Sequence, residues 1–350
     1  MGSTFSRKLA PRHWVVLIVV VIVLGGGLAA AYFAPHTERQ AFVVSAPSDE
    51  KKEYWKDRIQ DVGGNAAYKQ FADAVEKEEL SRQHAEAHFF GEALYFTEGA
   101  EGIRVCDREF LYGCYHAFVS RMLIEEGPAA REKLARICIA LEDQAVFCMH
   151  GLGHGILAET GYDVEELGEA LAICTELPAP PLGGCIGGVF MEYNMRTMIS
   201  DLVDMREYSP ETGLEPCTKL RPLYQDPCAF WQPQWWLRVF DPTYKNAEVY
   251  PRIREECAKL PGAHALTRCV QGVATIIASR SGWKPEVART FCDRFTQDAY
   301  ERVVCYTQAG RRMRDAAGKE TALQMCTTLT RDDASRCVDG IERRFDPLDF

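Results

Sequence analysis

The chain has 350 residues, with 40 basic side chains against 50 acidic ones and a formal charge of −10. That acidic balance argues against a nucleic-acid-binding surface, so no nucleic-acid partner is expected. With 47% hydrophobic residues the chain can bury a sizeable core, and its Gly and Pro are scattered rather than run together.

The first element is apolar. Trp14 to Ala34 is an uncharged run of 21 residues, preceded by Arg7, Lys8 and Arg12 and by no acid. About 20 apolar residues cross a bilayer as a helix, and excess positive charge stays on the cytoplasmic side. The expectation is a basic cytoplasmic tail (1–13), a single transmembrane signal anchor (14–34), a linker (35–52) and an exported helical domain (53–345). A cleaved signal peptide is the alternative, which would make the protein secreted. Either way the domain faces a periplasmic or extracellular space, tied in the first case to the membrane by its N-terminal helix.

Beyond the linker the pattern turns helical. Ala67, Phe71, Ala74 and Val75 share one face of a first helix. A second, from about Ser81 to Tyr95, places Ala85, Phe89, Ala93 and Phe96 near one stripe. From Cys106 onward, 14 cysteines fall into seven close pairs: Cys106/Cys114, Cys138/Cys148, Cys174/Cys185, Cys217/Cys228, Cys257/Cys269, Cys292/Cys305 and Cys326/Cys337. The second cysteines of successive pairs lie 32 to 43 residues apart, the period of a stacked helix–turn–helix unit. In an oxidising compartment an even, regularly spaced set implies disulfides, and no pair has the C-x-x-C spacing of zinc ribbons. Pairing between close neighbours would clamp the end of one helix to the start of its partner. The 163–174 segment shows the unit: Asp163 is a candidate N-cap, and Val164, Leu167, Leu171 and Cys174 lie on one face. The predicted fold is all-α, a disulfide-stapled α/α solenoid of helical hairpins behind the single N-terminal transmembrane helix.

The paired cysteines, with Ala170-Leu-Ala-Ile-Cys174 and Cys185-Ile-Gly-Gly188, resemble the cysteine-rich Sel1-like repeat proteins, whose helix pairs are each stapled by a disulfide. That resemblance covers roughly 106–340 and implies binding of a partner or ligand rather than a defined reaction.

Five of the eight histidines lie between residues 84 and 154. His84/His88 and His150/His154 are i, i+4 couples, so each can present two imidazoles on one helix face. His116 stands two residues after Cys114, as His150 stands two after Cys148, and equivalent positions of stacked units share a surface. Glu192 sits one place beyond the position of His154 in the following unit, and Glu92 continues the face of His84 and His88. His84, His88, His116, His150, His154 and Glu192 are therefore the candidate ligands of a divalent transition metal: zinc, iron, manganese or copper. Neither couple is a zinc-protease motif, because Ala85 and Gly151 stand where H-E-x-x-H needs its glutamate. The glycines of His150-Gly-Leu-Gly-His154 disfavour a helix by about 1 kcal/mol each and point to close approach of a neighbour or a ligand.

Trp231, Trp235 and Trp236 fall together in an atypical fourth unit, either as core or as the wall of a groove for a protein or small-molecule ligand. Two functions stand at this point. One is a membrane-anchored metalloprotein, an enzyme of unknown reaction among its forms. The other is a disulfide-stapled binding scaffold whose histidines are structural.

Overall fold

A computed structural model describes residues 47–177, 184–195, 206–241 and 246–343. Among these every regular element is helical. The α-helices are α1 (Ser48–Val62), α2 (Gly64–Val75), α3 (Leu80–Glu98), α4 (Gly113–Glu126), α5 (Ala130–Ile139), α6 (Ala145–Thr160), α7 (Val164–Glu176) and α8 (Gly184–Met195). They continue as α9 (Pro222–Phe240), α10 (Val249–Cys257), α11 (Ala265–Arg280), α12 (Pro285–Phe295), α13 (Ala299–Ala317), α14 (Lys319–Leu323) and α15 (Arg331–Glu342). The span 14–34 lies outside the described residues. Among the described ones no helix is long and apolar enough to cross a membrane.

The repeat read from the cysteines is the repeat of the fold. All seven neighbour pairs are disulfides, with Cα–Cα distances from 5.2 to 5.9 Å, and no cysteine among them is free. The bridges to Cys148, Cys185, Cys269, Cys305 and Cys337 each tie the end of a preceding helical segment to the first turns of an inner helix. The inner helices α3, α4, α6, α8, α9, α11, α13 and α15 pack in that order as one continuous row, and the shorter outer helices back them. Asp163 caps α7 as expected: its carboxylate accepts from the Glu165 and Glu166 N–H groups at 2.8 Å, and the Glu166 side chain accepts from the Asp163 N–H. Leu167 and Leu171 beneath it are fully buried.

Small residues set the spacing of the row. A Cβ on Gly188 of α8 would lie 1.9 Å from the His150 carbonyl oxygen, and one on Gly153 of α6 would lie 2.0 Å from that of Cys185. Backbone meets backbone there, so the neighbour implied by the glycines is the next helix. That contact brings α6 and α8 close enough for short side chains to meet across them.

Two expectations for the N-terminal helices need correction. The apolar stripe of α3 is Ala87, Phe90, Ala93 and Leu94, all fully buried, whereas Phe96 is 46% exposed and Ala85 is exposed. Apolar residues run almost around this helix. The aromatic cluster of Trp55, Tyr68, Phe71 and Phe110 selects the face carrying Phe90, and Phe96 instead lies under Lys56 and Arg121. The helical domain also begins earlier than residue 53. α1 starts at Ser48, because Lys51 is buried in an ion pair with Glu86 at 2.7 Å and Lys52 pairs with Glu92 at 3.0 Å.

Candidate metal centre

Three consecutive inner helices carry all five histidines of the 84–154 region. α3 presents His84 and His88 from successive turns, α4 presents His116, and α6 presents His150 and His154. The start of α4 is pressed against α3 at Gly113, where a Cβ would come within 2.6 Å of the His84 carbonyl oxygen and 3.1 Å of its Nδ1. His116, three residues on, therefore enters directly between the two couples.

The five rings form one continuous cluster. His116 lies 5.4 Å from His84 and 6.0 Å from His88, and 5.7 Å from His150 and 4.7 Å from His154, between ring centroids. Within the couples the separations are 4.7 Å (His84/His88) and 4.9 Å (His150/His154). Two sets of three, His84/His88/His116 and His116/His150/His154, each bring one ring nitrogen per residue within 4.8 Å of the others. His116 belongs to both.

The nitrogens that face outward have partners that fix the tautomers. His84 Nδ1 is 2.8 Å from the Phe110 carbonyl oxygen, which can only accept; Nδ1 thus carries the proton and Nε2 keeps its lone pair. Phe110, Leu111 and Tyr112 all have left-handed backbones (φ 53°, 52° and 64°), a run that bulky side chains rarely adopt. That strained bend aims the Phe110 carbonyl at His84. His154 Nδ1 is 2.9 Å from Glu192 Oε2, and the other carboxylate oxygen accepts from the Tyr162 hydroxyl at 2.7 Å. A metal-binding histidine is held in this way, by a carbonyl or carboxylate on the nitrogen away from the ion.

The inner side is different. Nε2 of His88 and Nε2 of His116 are buried and have no hydrogen-bond partner. Buried polar atoms are nearly always paired, so two orphaned nitrogens inside a group of imidazoles call for an electrophile. Electrostatics favours the neutral form of His84, His88, His116 and His150. Burial foremost, then the neighbouring His84, lowers the pKa of His88 to about 3. Burial foremost also holds His116 and His150 well below the usual histidine range; facing histidines add to this, and Arg312 adds to it at His150. His84 is lowered too, mainly by burial, against the opposing bond to Phe110. Neutral imidazole is the metal-binding form.

Two of the carboxylates do not join the inner ring. Glu192 is fully buried behind His154, with one oxygen on the His154 ring and the other on the Tyr162 hydroxyl. Glu92 pairs with Lys52 and Arg121. The tryptophan groove also needs revision. Trp235 and Trp236 are buried, with their indole N–H groups donating to the carbonyl oxygens of Arg206 and Gly213, and they belong to the core of the proline-containing helix α9. Trp231 alone is half-buried, and its ring stands 5.6 Å from that of His150.

One residue at the centre escaped the sequence reading. Met191 Sδ lies 3.3 Å from His150 Nε2. The signal was available: Met191 stands six residues after Cys185, as His154 stands six after Cys148. A cavity of ≈ 340 Å³, lined by Phe110, Tyr112, Trp283 and Arg312 among others, opens beside the strained bend that holds His84.

Comparison of the chain with protein-family models, with curated proteins and with solved structures finds no match.

Proposed function

We propose that the protein is an exported metalloprotein, held at the membrane by the span Trp14–Ala34, whose five clustered histidines bind one or two transition-metal ions. The observation that carries this reading is the pair of orphaned Nε2 atoms on His88 and His116, buried amid three further imidazoles. A helix row built only for stability would fill that volume with apolar side chains, since unpaired buried polar atoms each cost about 1–3 kcal/mol. One ion takes either set of three imidazoles; two ions would share His116 only with its ring proton released to solvent, as a bridging imidazolate. Three protein ligands leave a position of a tetrahedral ion open, the condition under which a metal-bound water or a small substrate reacts.

Cobalt(II) is a suitable probe, because its visible absorption reports ligand type and geometry. The full chain, purified in detergent without a polyhistidine tag and stripped of metal, should bind cobalt(II) with the spectrum of nitrogen ligation. The variant His150→Ala/His154→Ala should lose that signal at the second set while its seven disulfides still form. Wild-type protein that gives no cobalt spectrum would establish the scaffold reading instead; a double variant indistinguishable from a cobalt-binding wild type would remove His150 and His154 from the site.

A further inference from the structure

His150 and Met191 face one another across α6 and α8 with Nε2 and Sδ 3.3 Å apart. A ring proton on Nε2 donates to the sulfur; with the proton on Nδ1 the two atoms face one another differently. In that second tautomer Nε2 holds a lone pair, and a thioether sulfur has only lone pairs to offer. Two acceptors in contact with no proton between them repel, unless a cation lies between. Ligands on one ion, at bond lengths of about 2.0 Å to nitrogen and about 2.3 Å to sulfur and a tetrahedral angle, stand about 3.5 Å apart. The observed separation is close to that spacing.

Resting on the metal-centre reading above, we propose that Met191 is a ligand of the His116/His150/His154 set and makes it a copper(I) site. Thioether sulfur is a soft donor that selects copper(I), whereas imidazoles alone suit zinc, iron, nickel or copper(II) equally well. Met191 occupies in its unit the place that His154 occupies in the preceding one, so the solenoid register itself aims it at the same surface. Gly187 takes the place equivalent to His150. A Cβ there would meet Trp231 at 3.3 Å and His150 Nδ1 at 3.4 Å, so the indole packs against this side of the site. An aromatic wall of that kind restricts access of water and oxygen to a monovalent ion that oxygen would otherwise oxidise. The His84/His88/His116 set has no thioether described beside it and remains a harder site.

The test delivers copper(I) from a chelate under nitrogen to metal-free full-length protein in detergent. Thiol reductants are left out, since they would open the disulfides. Selenomethionine-labelled wild type should show a copper–selenium scatterer in its X-ray absorption spectrum, a signal that disulfide sulfur cannot imitate. Met191→Leu, of similar shape, should abolish it and weaken copper(I) binding by about tenfold or more while leaving cobalt(II) binding within about threefold. Copper(I) bound with nitrogen scatterers only, or unchanged affinity in Met191→Leu, would overturn the proposal and leave the metal centre standing; so would cobalt(II) binding without copper(I) binding. Should neither ion bind, the metal-centre reading falls and this one with it. If Met191→Leu does not fold, the selenium signal of the wild type decides alone.

Discussion

Glu192 Oε2 accepts a hydrogen bond from His154 Nδ1 at 2.9 Å, and both side chains are fully buried on adjacent inner helices. The carboxylate fixes the ring, the tautomer and the basicity of the remaining nitrogen, while Tyr162 holds the carboxylate from behind at 2.7 Å. Glu192→Gln keeps the shape but removes the charge. It should weaken metal binding at the His116/His150/His154 set by about 10–100-fold. Competition against a chromophoric chelator measures this, and an affinity equal to wild type would show that Glu192 has no part in the centre.

The close approach of α6 and α8 gives a paired test of packing. Gly188→Ala puts a methyl group 1.9 Å from the His150 carbonyl oxygen, so the helices must part. A loss of about 1–3 kcal/mol is expected, together with weaker metal binding. Gly168 lies in α7 with nothing within 4 Å of its Cβ position, and Gly168→Ala should instead gain about 0.5–1 kcal/mol. Thermal melts of the two variants should move in opposite directions. Equal shifts would show that the glycine at 188 is not there for the backbone contact.

Acid should destabilise the metal-free protein through His84, His88, His116 and His150. Their folded pKa values lie below the unfolded value near 6.5, that of His88 at about 3. Below pH 6.5 the unfolded chain therefore binds protons that the folded one refuses, and stability falls as pH falls. The window runs for His88 from about 6.5 down to about 3, with a slope of about 1.4 kcal/mol per pH unit for each histidine held neutral. Urea midpoints in EDTA at pH 7 and pH 5 check the sign. Bound metal should raise the pH 7 midpoint and have little effect at pH 5. A metal-free protein equally stable at both values would mean the rings are free to protonate in place.

The bridge Cys174/Cys185 joins α7 to α8, the helix that carries Met191 and Glu192. Replacing both cysteines by Ala should cost about 2–5 kcal/mol and loosen metal binding as well. Non-reducing peptide mapping of the wild type should recover this pair and the six other neighbour pairs. Pairs formed across repeats would contradict the fold.

Legibility followed periodicity. The cysteine spacing yielded the hairpin unit and its staples, and the shared offset of His116 and His150 from their cysteines correctly placed them side by side. Where a single position had to be assigned without a period, chemistry alone carried the reading. Glu192 reads as a ligand because carboxylates bind metals; its place one residue beyond the register of His154 sets it against the Nδ1 side of that ring. Met191, in register, was passed over because methionine reads as core. On α3, apolar residues on nearly every face left the buried stripe undetermined until Trp55 and Phe71 were packed against it. The tether was drawn too long because Lys51 reads as solvated; its partner Glu86 lies 35 residues away, beyond any local pattern.

Metal content measured directly on untreated protein tests the central claim. The full chain, isolated from its native source without a tag and without added metal, should carry between one and two equivalents of transition metal by elemental analysis. His150→Ala/His154→Ala, prepared identically, should carry about one equivalent less. Wild-type protein with no metal above the buffer, even when isolated without chelators, would contradict the account.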